Sequence, residues 1–165
     1  MTYRISDGWI GGQAPSDTSS TQKHQPGVEM EAIDETYGAA IMVYARAASA
    51  ITYGMFVLLQ EDTPFSATPL VTTTSGAVAV AMTAMASGDY GWFQRTGKAI
   101  GQAAAGYADN ALVYAMASPA GQVSSTVVAG SRIKKALGAS AVGTPSAGLA
   151  EFEIDRPFMD AGAAA

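Results

Sequence analysis

The sequence predicts a mainly β protein, a β-barrel or β-sandwich-like domain with an extended N-terminal arm. Three observations lead there. Apolar residues fall in short runs separated by turn signals, in a chain of 165 residues with 18 glycines and 7 prolines. Several runs alternate with a period of two, the pattern of a strand with one face on a core. Glycine also punctuates nearly every segment, and inside a helix each glycine loses about 1 kcal/mol against alanine.

Residues 1–32 read as the arm. Gly8, Gly11, Gly12, Pro15 and Pro26 break any periodicity, and residues 16–25 form the polar run SDTSSTQKHQ. Trp9 and Ile10 do not suit a solvated tail: either they fold back on the domain or they dock on a neighbouring subunit, and the arm is expected to lie against a partner and to order there. They are the first two candidate interface residues.

Residues 33–165 read as the β-rich domain, closed by a short flexible tail, DAGAAA. Its first strand is Gly38 to Ala48, where Ala39, Ile41, Val43 and Ala45 alternate with Ala40, Met42, Tyr44 and Arg46. Met55 to Gln60 is a continuous apolar run, typical of a strand covered on both faces. EDTPFSATPL (residues 61–70), with Pro64 and Pro69, reads as a loop, and Leu70 to Thr74 as a β-branched run. Ala77 to Thr83 alternates Val78, Val80 and Met82 with smaller residues. In Tyr90 to Gln102, aromatic residues sit among Gly91, Gly97 and Gly101, glycines that suit bulges in a curled sheet. Tyr107 to Asn110 reads as a turn, Ala111 to Ala117 as a strand and SPAGQ as a turn; Val127-Val128 precedes Gly130, and Arg132 to Leu137 and Leu149 to Ile154 complete the set. The rival pattern is a short helix in Ala77 to Ala86 or Ile100 to Ala105, where alanine is dense.

Composition narrows the function. Charged residues make up 14% of the chain, against about a quarter in ordinary domains. A surface so poor in charge is expected to be covered by partners, including copies of the chain itself. The net charge of −5, with basic residues scattered, argues against nucleic acid as the partner. The absence of cysteine excludes disulfides and thiolate chemistry. The most apolar window, Ala77 to Met85, is about half the length that spans a bilayer, and the first residues lack the pattern of a secretory signal. The expectation is a soluble protein made in the cytoplasm, with no membrane partner.

The search for chemistry returns little. His24 is the single histidine and lies in the polar arm, where it reads as solvated; Glu29 and Glu31 are the nearest carboxylates for a metal site. No G-x-S-x-G elbow, GxxxxGK[ST] loop or GxGxxG occurs. Glu61 and Asp62 adjoin a loop, while Glu151 and Glu153 share a strand face, roughly 7 Å apart. That spacing permits paired acid–base work, but alternating acids on a strand usually mark its solvated face. No catalytic residue, cofactor or metal is expected. Tyr90, Trp92 and Phe93 are read as packing at or just beneath a subunit interface, with a ligand-stacking platform as the alternative.

The segments VAVAMTAMAS, GDYGWFQRTGKAI (Gly88 to Ile100), YADNALVYAMASPAGQV, TVVAGSRI and IDRPFM (Ile154 to Met159) follow one another in an order that resembles tailed-phage capsid decoration, or cement, proteins. The resemblance covers about Gly38 to Met159. It implies a β-rich structural virion protein of no enzymatic activity, a homo-oligomer (trimer or dimer) bound to the major capsid protein on the outer surface of the shell. A small ligand- or carbohydrate-binding β module using Tyr90 and Trp92 is the alternative function.

Overall fold

The computed structural model describes residues 4–5, 13–62 and 64–161. Among them the protein is all-β, with twelve strands and no helix. Neither alanine-dense window is helical: the first forms a strand and its following bend, the second the end of a strand and the start of a turn. In both, alternate residues are captured by a core, and that burial outweighs alanine's helix propensity.

The first barrel is a closed ring of five strands. β3 (Gly38–Ala47) pairs parallel with β5 (Ser66–Pro69), which forms an antiparallel hairpin with β4 (Phe56–Gln60). β4 continues to β6 (Gly76–Ala81), β6 to β7 (Tyr90–Gln94), and β7 returns to β3. Closure leaves no free edges, but five strands enclose a narrow bore, since barrel diameter grows with strand number. The interior therefore includes five alanines, Ala45, Ala47, Ala67, Ala79 and Ala81, packed with Val43, Val57, Leu59, Phe93, Ile51 and Met85. This bears on the composition argument. Many alanines line the interior, so the low charge is in part a property of the core and not only of the surface.

A second ring stands beside the first. β8 (Thr96–Gln102) pairs with β12 (Leu149–Met159), β12 with β11 (Arg132–Gly138), β11 with β9 (Leu112–Ala115), and β9 with β10 (Val123–Ser124). It closes through a single parallel bridge, Ala103 to Val123. Its core carries larger rings: Phe152 meets Phe56 edge-on at 5.0 Å and Tyr107 at 5.3 Å. Gly101 is required here, because a Cβ at that position would lie 2.5 Å from the Phe56 ring.

β4 and β6 form a wall common to both cores. Val57, Leu59, Ala79 and Ala81 point into the first barrel. Phe56, Val78 and Val80, with the half-buried Leu58, point into the second. The continuous apolar run at Met55 to Gln60 thus has its expected cause, a strand covered on both faces.

Several expectations are corrected. A strand, β5, forms inside the segment read as a loop, with Pro69 at its end, where a missing N–H is tolerated. Leu70 to Thr74, read as a β-branched run among the strands, holds a turn. The arm boundary at residue 32 falls inside β2 (Glu29–Asp34), which pairs with β3 over six positions. The backbone of β1 (Arg4–Ile5) in turn pairs with β2, so the first 32 residues contain regular structure. The alternation in β2 is masked by its acids: Ala32 and Asp34 are buried, while Glu29, Glu31 and Ile33 face out.

Candidate interaction surfaces

Trp9 and Ile10 lie outside the described residues. The other three candidates are core residues of this chain. Phe93 is fully buried in the first barrel. Trp92 points to the opposite face of β7 and is buried against Tyr44, Met42 and Met82. Tyr90 is half-buried at the edge of the same cluster.

The cover over Trp92 is the chain's own segment from Gln13 to Val28. The Trp92 indole N–H donates to the Gln13 carbonyl at 2.9 Å. The Tyr44 hydroxyl donates to Gln13 Oε1 at 3.0 Å and accepts from the Lys23 backbone N–H at 3.1 Å. Ser19 exchanges both backbone hydrogen bonds with Tyr90, at 3.1 and 2.8 Å. His24 is half-buried: its ring stands edge-on to Tyr44 at 5.1 Å and tilted over Trp92 at 5.2 Å, and its Nε2 accepts from the Gln13 N–H. The reading of His24 as solvated is therefore corrected. So is the exposed stacking platform, because Trp92 has no face left for a ligand. Gln13 is the residue that sequence reasoning missed. A polar side chain that satisfies buried tyrosine and tryptophan groups leaves no periodic signal.

The carboxylates are engaged in structural pairs. Glu29 on β2 receives both Arg156 Nη atoms at 2.7 Å and Arg95 Nη1 at 3.2 Å, tying β2 to β12 and to the β7–β8 corner. The Arg156 hydrogen bonds, helped by both positive charges, hold the Glu29 carboxyl below its ordinary value despite partial burial. Arg156 has a left-handed φ of 48° and occupies the point where β12 leaves β8 for β6. Glu151 accepts from Lys98 at 2.6 Å and from the Tyr37 hydroxyl at 3.3 Å. The hydrogen bond that Lys98 donates to Glu151 raises the Lys98 pKa, and burial raises that of Tyr37. Glu153 is exposed on the same strand face.

Shallow hollows lie on two outer faces of the described residues. One, of about 450 Å³, lies along the β2–β3 hairpin between Glu29, Glu31, Ile41 and Thr96. The other, of about 300 Å³, lies on the outside of β9, β11 and β12, among Leu112, Arg132, Lys135, Leu137, Glu153 and Asp155. It sits where β11 departs from the β9 ladder between Arg132 and Leu137. Neither brings together a nucleophile, a base and an oxyanion donor. Among the described residues no group of three or more His, Asp or Glu side chains is placed to hold a metal, and no helix is long and apolar enough to cross a membrane. No protein-family profile and no curated protein matches the chain.

Proposed function

We propose that the chain is a structural, non-enzymatic virion protein that binds the outer surface of a phage capsid and bridges major capsid subunits. The single observation that carries this reading is where the resembling segments lie. VAVAMTAMAS contributes β6 of the shared wall, GDYGWFQRTGKAI contributes β7 and most of β8, and the three later segments contribute β9, β10, the entry to β11, and the end of β12. They are one contiguous body, not scattered matches. That body is well suited to a mechanical role: two adjoining cores, one wall between them, and ionic groups spent on tying strands together. A clamp of this kind works by repetition, since many weak contacts on one lattice give high avidity. The net charge of −5 suits an outer surface away from packaged DNA. The reading includes self-association as a dimer or trimer.

Mass spectrometry of purified virions from the source of the chain tests this reading. The chain should be present at a copy number comparable with that of the major capsid protein, and stripped shells should melt at a higher temperature once it is added back. Its absence from virions, with no binding to stripped shells, refutes the proposal.

A further inference from the structure

We propose that residues 13–27 form a strap that opens as one unit while both rings stay folded, with Gln13 as its latch and the rings of Trp92, Tyr44 and Tyr90 as what it uncovers. The inference goes beyond the function proposed above: it concerns the isolated chain and stands or falls without a capsid.

The strap is poor in the contacts that hold the rest of the chain. Among residues 13–27 Pro15 alone is buried, and the run from Ser16 to Gln25 has no apolar side chain. Its one strand-like contact is the isolated bridge of Ser19 with Tyr90. Ordering each residue costs backbone entropy, and hydrogen bonds exchanged with water return little of it. Segments of this kind open locally at a fraction of the free energy of global unfolding. Strand pairing resumes on both sides, since Arg4–Ile5 pairs with β2 and β2 pairs with β3, so an open strap stays tethered. Gly27, exposed and at a φ of 91°, lies in the turn into β2 and can change its backbone angles as the strap lifts.

The surface beneath keeps the strap closed. Trp92, Tyr44 and Met42 are buried there, in a cluster that reaches Met82 and the half-buried Tyr90. Gln13 fixes the closed geometry through five hydrogen bonds. Its carbonyl accepts from the Trp92 indole, and its Oε1 accepts from the Tyr44 hydroxyl. Its Nε2 donates to the carbonyls of Asp17 at 2.7 Å and Tyr90 at 3.2 Å, and its backbone N–H donates to His24 Nε2. One residue thus joins two points of the strap, Asp17 and His24, to both strands below, β3 and β7. The Tyr44 hydroxyl repeats the connection, because it also accepts from the Lys23 N–H. Bonds that share these few atoms are lost together, which makes opening a single event. The strands below do not depend on it: β3 and β7 pair over five positions, and each has further partners in the first barrel.

Amide hydrogen exchange of the full chain, followed residue by residue by nuclear magnetic resonance, tests this. The reporters are the amides of Ser19, of Lys23 and of Tyr90, which donates to the Ser19 carbonyl at 2.8 Å. These three should share one opening equilibrium, more open than that of Phe56 and Ala81 in the wall common to both cores. In Gln13→Ala the three should exchange at least about tenfold faster, with Phe56 and Ala81 unchanged. Tyr44→Phe keeps the ring and removes the hydroxyl, and should give the same pattern at about threefold or more. Three reporters as slow as Phe56 and Ala81 in the natural chain would overturn the strap, as would three openings of different size. So would variants that leave the reporters unchanged, or that speed Phe56 and Ala81 equally.

Discussion

The two rings use the same number of strands and solve closure differently. The first is hydrogen-bonded all the way round, and its narrow bore combines five alanines with Val43, Ile51, Val57, Leu59, Met85 and a single aromatic ring, Phe93. The second is held at one seam by the single Ala103–Val123 bridge, and residues at left-handed φ, Lys135 (59°) and Arg156 (48°), interrupt its two long strands. What the second lacks in ladder continuity it recovers through larger side chains. Phe152 and Tyr107 fill it, and Phe56 enters from the shared wall. Continuous closure demands small residues, whereas a ring with a weak seam relies on aromatic packing. The exposed apolar residues follow the same division, concentrated on the second ring, where bulges open the outer face.

Removal of the ring at the centre of the second core's aromatic cluster gives the largest expected effect. Phe152→Ala should lose about 3–5 kcal/mol of stability, read from denaturant melts, because it deletes contacts with both Phe56 and Tyr107. A loss under about 1 kcal/mol would mean that the seam, not the aromatic cluster, holds that ring. The opposite substitution breaks the first barrel. Ala79→Leu inserts a large side chain into a full bore and should cost about 1–3 kcal/mol, whereas an unchanged melting temperature would show room in the barrel.

Two smaller changes sharpen the contrast within the second ring. The Tyr107 hydroxyl donates to the Ala111 carbonyl at 3.0 Å, and burial raises its pKa. Tyr107→Phe should therefore cost about 1 kcal/mol. Ser131 is fully buried and its hydroxyl has no hydrogen-bond partner. Ser131→Ala should leave stability unchanged or raise it by up to about 1 kcal/mol, and a loss greater than that would reveal a partner for the hydroxyl.

The smallest expected effect concerns the clasp that joins β2 to the shared corner of both rings. Glu29 is held below its ordinary value of 4.5, so its contribution is present above that pH and is lost as pH falls through the lower folded value. The melting-temperature difference between the natural chain and Glu29→Gln should be steady near neutral pH and shrink in acid. Added salt should shrink it too, since the clasp is partly exposed. A difference that grows on acidification would contradict the assignment.

The candidate surfaces were less legible than the strands. Tyr90, Trp92 and Phe93 stood out as aromatic anchors, and they are anchors, but of the chain to itself. Successive residues of β7 face opposite sides, so Phe93 enters the barrel and Trp92 meets the cover of Gln13 to Val28. Composition records that large rings will be buried, and not against what.

The sequence by itself determined the all-β class, most strand positions and the double-sided burial at Met55 to Gln60. Those properties follow from a two-residue period and from glycine and proline, which act over a few residues. Tertiary structure alone decided that ten of the strands form two rings sharing a wall. It also decided that β2 extends β3, and that residues 13–28 seal the Trp92 cluster. Each depends on contacts between residues far apart in the chain, such as Gln13 with Trp92 and Glu29 with Arg156. Hydrophobic burial has no direction of its own, so the pattern of apolar residues says which faces must be covered, and only the closed set of hydrogen-bonded neighbours says which segment covers each.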